Sequence, residues 1–127
     1  MFAAELTETY GFETTQALLN SSNPPSAFLV SSYVVALGVR HAINKAGLTM
    51  GKDVSVIIHD DELSYFNNGT DIPQFTSTRS SVREAGVLAA EMLLKQIDDP
   101  SLFPQNIRLE SLLTIGSSTG PFINQRK

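Results

Sequence analysis

The run Pro25-Ser26-Ala27-Phe28-Leu29-Val30-Ser31-Ser32-Tyr33-Val34-Val35-Ala36-Leu37-Gly38 constrains the fold more than any other part of the chain. Pro24 and Pro25 bar a helix immediately before it. Ala27 to Val30 is a short apolar run with the length and composition of a strand covered on both faces. Ser31 and Ser32 are strong helix N-cap residues. Beyond them Val35, Leu37, Val39, Ala42, Ile43 and Ala46 form a broad apolar stripe that closes at Gly47, a favourable residue just past a helix end. Such a corner presents hydroxyls and backbone N–H groups at the carboxyl end of a strand. In open α/β sheets ligands bind at that end.

The rest of the chain repeats the alternation. Thr7 to Asn20 predicts a helix with Phe12, Thr15, Leu18 and Leu19 on one side, ended by Ser21-Ser22-Asn23-Pro24-Pro25. Phe2 to Leu6 predicts a short strand before it. Asp53-Val54-Ser55-Val56-Ile57-Ile58 is a second β-branched run, ending at His59-Asp60-Asp61, and Phe75 to Thr78 is a third strand. Ser81-Val82-Arg83-Glu84 fits a capping box opening a helix that stops before Asp99-Pro100. Ile107 to Ile115 is the last strand, and Gly116-Ser117-Ser118-Thr119-Gly120 reads as a solvated tail rather than an anion-binding nest, because no helix follows it. The order predicts one α/β domain over residues 1–127, with three layers and a mostly parallel sheet flanked by helices.

Composition narrows the function classes. With 127 residues, 42% of them hydrophobic, the chain suits one domain with a core, and it has no run of apolar residues long enough to span a membrane. The absence of cysteine excludes disulfides and thiolate metal sites and fits a reducing cytoplasm. A formal net charge of -4 with scattered basic residues disfavours direct binding to nucleic acid. The start of the chain lacks the basic and apolar regions of a secretory signal.

Chemistry concentrates at the strand ends. A carboxylate after Ile58 lies where a ligand's vicinal hydroxyls would be, so Asp60 and Asp61 divide between capping the next turn and binding a ligand. His59 with the two aspartates is too small a set for a metal site, and His41 has no carboxylate at helical spacing. Arg79, at a strand-to-helix passage, can fork onto a ligand hydroxyl or a neighbouring carboxylate. There is no Gly-x-Ser-x-Gly elbow, no phosphate loop and no dinucleotide fingerprint, so neither catalysis nor a cofactor is expected.

Taken in register, Pro25 to Gly38, Asp53 to Asp61, Phe75-Thr-Ser-Thr-Arg79 with Glu84-Ala-Gly86 and Ala89 to Leu94, and Ser118-Thr-Gly-Pro121 resemble the effector-binding half of lactose-repressor (LacI/GalR) family regulators. The likeness runs from about Thr7 to Pro121 and implies a periplasmic-binding-protein type I-like lobe. It also implies that the DNA-binding headpiece, the first lobe and the opening strand and helix of the second lobe have no counterpart in these residues. Loss of a central strand would leave an open sheet edge and drive association with another copy or with the missing half.

By the same resemblance Ser32, Tyr33 and Asp60 bind a mono- or disaccharide effector. The family's acidic corner residue is Tyr33 here, adding a stacking surface; Ile58 and His59 replace a glycine and an aromatic, and Gly116 replaces an arginine. Leu37, Leu63, Tyr65 and Phe66 map to a homodimer interface, which an exposed Leu-x-Tyr-Phe in a polar loop fits independently. The implied function is cytoplasmic, sugar-responsive transcription control, with operator DNA reached only through the headpiece, and with α-glucosides or α-galactosides such as raffinose as the effector class. The rival readings are an extracytoplasmic sugar-binding protein feeding a transporter, and an enzyme using His59, Asp60 and Asp61.

Overall fold

In the computed structural model, residues 6–60, 68–69, 71–103 and 105–121 are described. Seven elements follow in order: α1 Glu8–Leu19, β1 Ala27–Val30, α2 Tyr33–Lys45, β2 Ser55–His59, β3 Thr76–Arg79, α3 Val82–Asp98 and β4 Leu112–Thr114. The expected strand over Phe2 to Leu6 falls almost entirely outside the described residues. The four strands form one sheet in the order β1-β2-β3-β4. β1, β2 and β3 are parallel, with Phe28 opposite Val56 and Ile58 opposite Ser77. β4 runs antiparallel to β3, pairing Thr78 with Leu113.

Local chemistry explains the boundaries. Thr7 caps α1 by accepting the Tyr10 N–H at 3.1 Å. Ser81 does the same for α3, accepting the Glu84 N–H at 3.1 Å. α2 ends through Ala46 into Gly47, whose φ of 75° is the left-handed conformation a helix terminus asks for.

The core lies between α2 and one face of the sheet. Val35, Ala36, Val39, Ala42 and Ile43 of α2 are buried, together with Val30, Val54, Val56, Ile58 and Phe75 from the sheet side. Each large apolar side chain buried there stabilises by about 1.5–3 kcal/mol. α1 packs on α2 rather than on a strand. The two helices approach closely because Gly11 lies against Val35 and Gly38 against the backbone of Glu8 and Phe12.

Two expectations are corrected. β1 is not covered on both faces: it is an edge strand whose Leu29 is 83% exposed, because α2 covers one face and no described element covers the other. Its apolar run reflects a strand's composition, and that pattern alone does not say how many faces are packed. The segment after β4 is not a solvated tail. Ser118 is 0% exposed, and its hydroxyl donates to the Val56 carbonyl and accepts the Thr76 N–H at 2.8 Å. Its carbonyl accepts the Val56 N–H at 2.9 Å. The reason is geometric: small residues let the backbone of 116–120 lie against β2 and β3, and a Cβ on Gly116 would meet the Phe75 carbonyl at 2.5 Å.

Candidate functional site

Parallel strands carry their carboxyl ends to one edge, so residues far apart in sequence meet there. β1 delivers Ser31 and Ser32, β2 delivers Asp60, and β3 ends on Arg79. Ser32 stands at the N-cap of α2 with extended backbone (φ -149°, ψ 144°), yet its hydroxyl makes no capping hydrogen bond to the helix. Only 7% of its surface is exposed. The corner therefore has the predicted shape but does not use Ser32 as a cap.

Asp60 is also 7% exposed. Its N–H donates to the Thr78 carbonyl at 2.9 Å, which ties the residue after β2 to β3. The Arg79 guanidinium donates to its carboxylate, Nη2 to Oδ2, at 2.7 Å. Of the two partners offered to Arg79 by the sequence, a neighbouring carboxylate is one that it meets. His59, one residue earlier, shares a 3.3 Å hydrogen bond with the Thr78 hydroxyl, Nδ1 to Oγ1. Asp61 lies outside the described residues, and no group of three or more metal-ligating side chains occurs among those described.

Tyr33 opens α2 at the same corner. The residue is 5% exposed, belongs to the core cluster and meets Phe75 edge-on, with ring centroids 5.5 Å apart. The first residue of α2 thus turns inward with the helix's apolar stripe. Burial pushes the phenol's pKa above its usual 10.0, Arg40 opposes that shift, and the Asp60 charge adds to it. The phenol thus senses the Asp60 carboxylate.

Leu37 is half-buried and packs against the core of its own domain. Leu63, Tyr65 and Phe66 lie outside the described residues. What sequence reasoning missed was the combination: the Asp60–Arg79 pairing depends on β2 and β3 being adjacent and parallel, and the buried Ser118 depends on the return of the chain past both. A Ser-Thr run flanked by glycines was the only local signal of the latter.

A mixed open sheet whose three parallel strands gather polar side chains at their carboxyl edge defines an α/β domain of the periplasmic-binding-protein type. The chain belongs to the periplasmic-binding-protein-like domain family, whose model matches residues 3–119, and within it to the lactose-repressor branch. It is 39% identical over 116 residues to the HTH-type transcriptional regulator AglR of Rhizobium meliloti (strain 1021), covering 91% of this chain and 33% of that protein. It is 34% identical over 85 residues to the lactose operon repressor of Escherichia coli K12, covering 67% of this chain and 23% of the repressor.

Among solved structures, a LacI family transcriptional regulator from Bifidobacterium animalis subsp. lactis aligns with TM-score 0.75 and 28% identity, over 91% of this chain and 41% of that one. The lac repressor dimer bound to operator and the anti-inducer ONPF aligns with TM-score 0.75 and 29% identity, over 91% and 39%. The chain spans about a third or less of the length of these curated relatives.

Proposed function

We propose that these residues form the effector-sensing part of a sugar-responsive transcription regulator. The observation that carries the reading is that two nearly buried polar residues, Ser32 and Asp60, stand just beyond the carboxyl ends of the adjacent parallel strands β1 and β2. A hydroxyl and a carboxylate so placed suit the vicinal hydroxyls of a mono- or disaccharide, for which charge-assisted bonds are the strong ones. Tyr33 lines the same corner from beneath. The relatives support the reading: they are regulators, among them the lactose and ribose operon repressors of Escherichia coli. That weighs against a transporter's binding protein and against an enzyme.

On this reading effector binding alters the grip on operator DNA through a DNA-binding segment that these residues do not include, which is a coupling between two sites. The regulator acts as a homodimer in the cytoplasm, with Leu37, Leu63, Tyr65 and Phe66 assigned to the subunit contact by the sequence resemblance. Among the described residues no helix is long and apolar enough to cross a membrane.

Thermal-shift measurements against glucose, galactose, ribose, lactose and raffinose test the proposal. At a hundredfold excess over its dissociation constant, a true effector stabilises by roughly 2.7 kcal/mol. Asp60→Asn should shrink that response without abolishing folding. A flat response to every sugar would refute the assignment.

A further inference from the structure

In the proposed site Asp60 supplies the carboxylate, and Arg79 has so far no part. Its setting argues for one. Arg79 is the last residue of β3 and pairs with Leu112 of β4, so its side chain starts from a backbone held by the sheet. The Asp60 N–H is held by the Thr78 carbonyl at 2.9 Å, so the two side chains leave neighbouring, fixed backbones and meet at 2.7 Å. The partners differ sharply in exposure: the Arg79 side chain is 45% exposed, that of Asp60 only 9%.

A guanidinium this exposed adds little to stability. It does fix the carboxylate's rotamer and offset its charge at the ligand edge, which are the two requirements for reading neutral hydroxyls. We infer that Arg79 is the positioning residue of the effector site, holding Asp60 for the ligand and offsetting its charge. This inference rests on the crevice being the sugar site.

The test uses the full chain with the variants Arg79→Met, Arg79→Lys, Asp60→Asn and the double variant Asp60→Asn/Arg79→Met. Binding of D-galactose, raffinose and D-galacturonate is measured by titration calorimetry, alongside ligand-free melting. Arg79→Met should weaken binding of the neutral sugars about tenfold. Arg79→Lys, which keeps the charge, should recover to within about threefold. In the Asp60→Asn background the same Arg79→Met change should cost nothing further, because a residue that acts through Asp60 has nothing left to position. Arg79→Met also removes the charge that offsets Asp60, so D-galacturonate should lose more affinity than the neutral sugars do.

A structural ion pair would lower melting without moving these ratios. If the parent binds a neutral sugar and Arg79→Met binds it equally well, or loses the same factor in both backgrounds, the inference is overturned while the function stands. If Arg79→Met weakens galacturonate no more than the neutral sugars, the charge-offset part falls. If the parent binds none of the three probes, the proposed function fails and takes the inference with it.

Discussion

Replacing Ser118 by alanine isolates the contribution of the buried return segment. The Ser118 hydroxyl serves two backbone groups at once, donating to the Val56 carbonyl and accepting the Thr76 N–H at 2.8 Å, and the residue is 0% exposed. Alanine leaves both groups without that partner and leaves a gap of one oxygen atom, too small to admit water. Each buried group left unsatisfied costs about 1–3 kcal/mol, so the pair costs roughly 2–6 kcal/mol, a large share of a domain's total of about 5–15 kcal/mol. For a chain of this size that corresponds to a fall in melting temperature on the order of 10 °C.

Ser117 is the control. It is exposed, and its hydroxyl donates to the Gln74 carbonyl at 3.1 Å, so Ser117→Ala should change stability by no more than about 0.5 kcal/mol. Urea unfolding monitored by circular dichroism gives both values. Equal midpoints for Ser118→Ala and the parent would show that residues 116–120 are not clamped between β2 and β3, and the account of that segment would have to be withdrawn.

Two of the helical glycines, Gly38 and Gly86, should respond oppositely to alanine. A Cβ on Gly38 meets the Phe12 backbone N at 2.6 Å and the Glu8 carbonyl closer still, so α1 and α2 must part at a cost of about 1–3 kcal/mol. A Cβ on Gly86 meets nothing within 4 Å, so Gly86→Ala should stabilise by about 0.5–1 kcal/mol through helix propensity. Ser81→Ala removes the α3 cap and should cost about 1 kcal/mol, read as lost helicity and a lower melting point.

Tyr33 predicts an alkaline effect. Its folded pKa lies above the ordinary 10.0, so the neutral phenol is the form the fold favours. The stability it contributes is full below the ordinary value and is lost as pH rises through the raised one. Melting temperatures of the parent should therefore fall more steeply above about pH 10 than those of Tyr33→Phe. Parallel curves would contradict that.

Much of the fold was legible because short-range rules govern it. The strand at Ala27–Val30, the stop at Gly47 and the cap at Ser81 depend on residues within one turn of each other. The position of Asp60 at a strand's carboxyl end was legible for the same reason: a β-branched run ends and a carboxylate follows. The loop carrying Leu63, Tyr65 and Phe66 had an apolar signal but lies outside the described residues, so the interface reading rests on sequence alone. Tyr33 shows the limit. Its type announced an aromatic surface, but whether the ring faces a ligand or the core depends on the direction of α2's apolar stripe and on Phe75, 42 residues later.

By itself, then, the sequence determined where most strands and helices lie and which polar residues stand at the strand ends, although the strand expected over Ile107 to Ile115 is only Leu112–Thr114. Periodicity, proline and capping chemistry act locally and leave their mark in the order of residues. Only the tertiary structure decided what those residues meet. The adjacency of β2 and β3 joined Asp60 to Arg79, the edge position of β1 left Leu29 in the open, and the return of the chain buried Ser118 between two strands. Those outcomes depend on contacts between residues distant in sequence, and no local pattern encodes such distances.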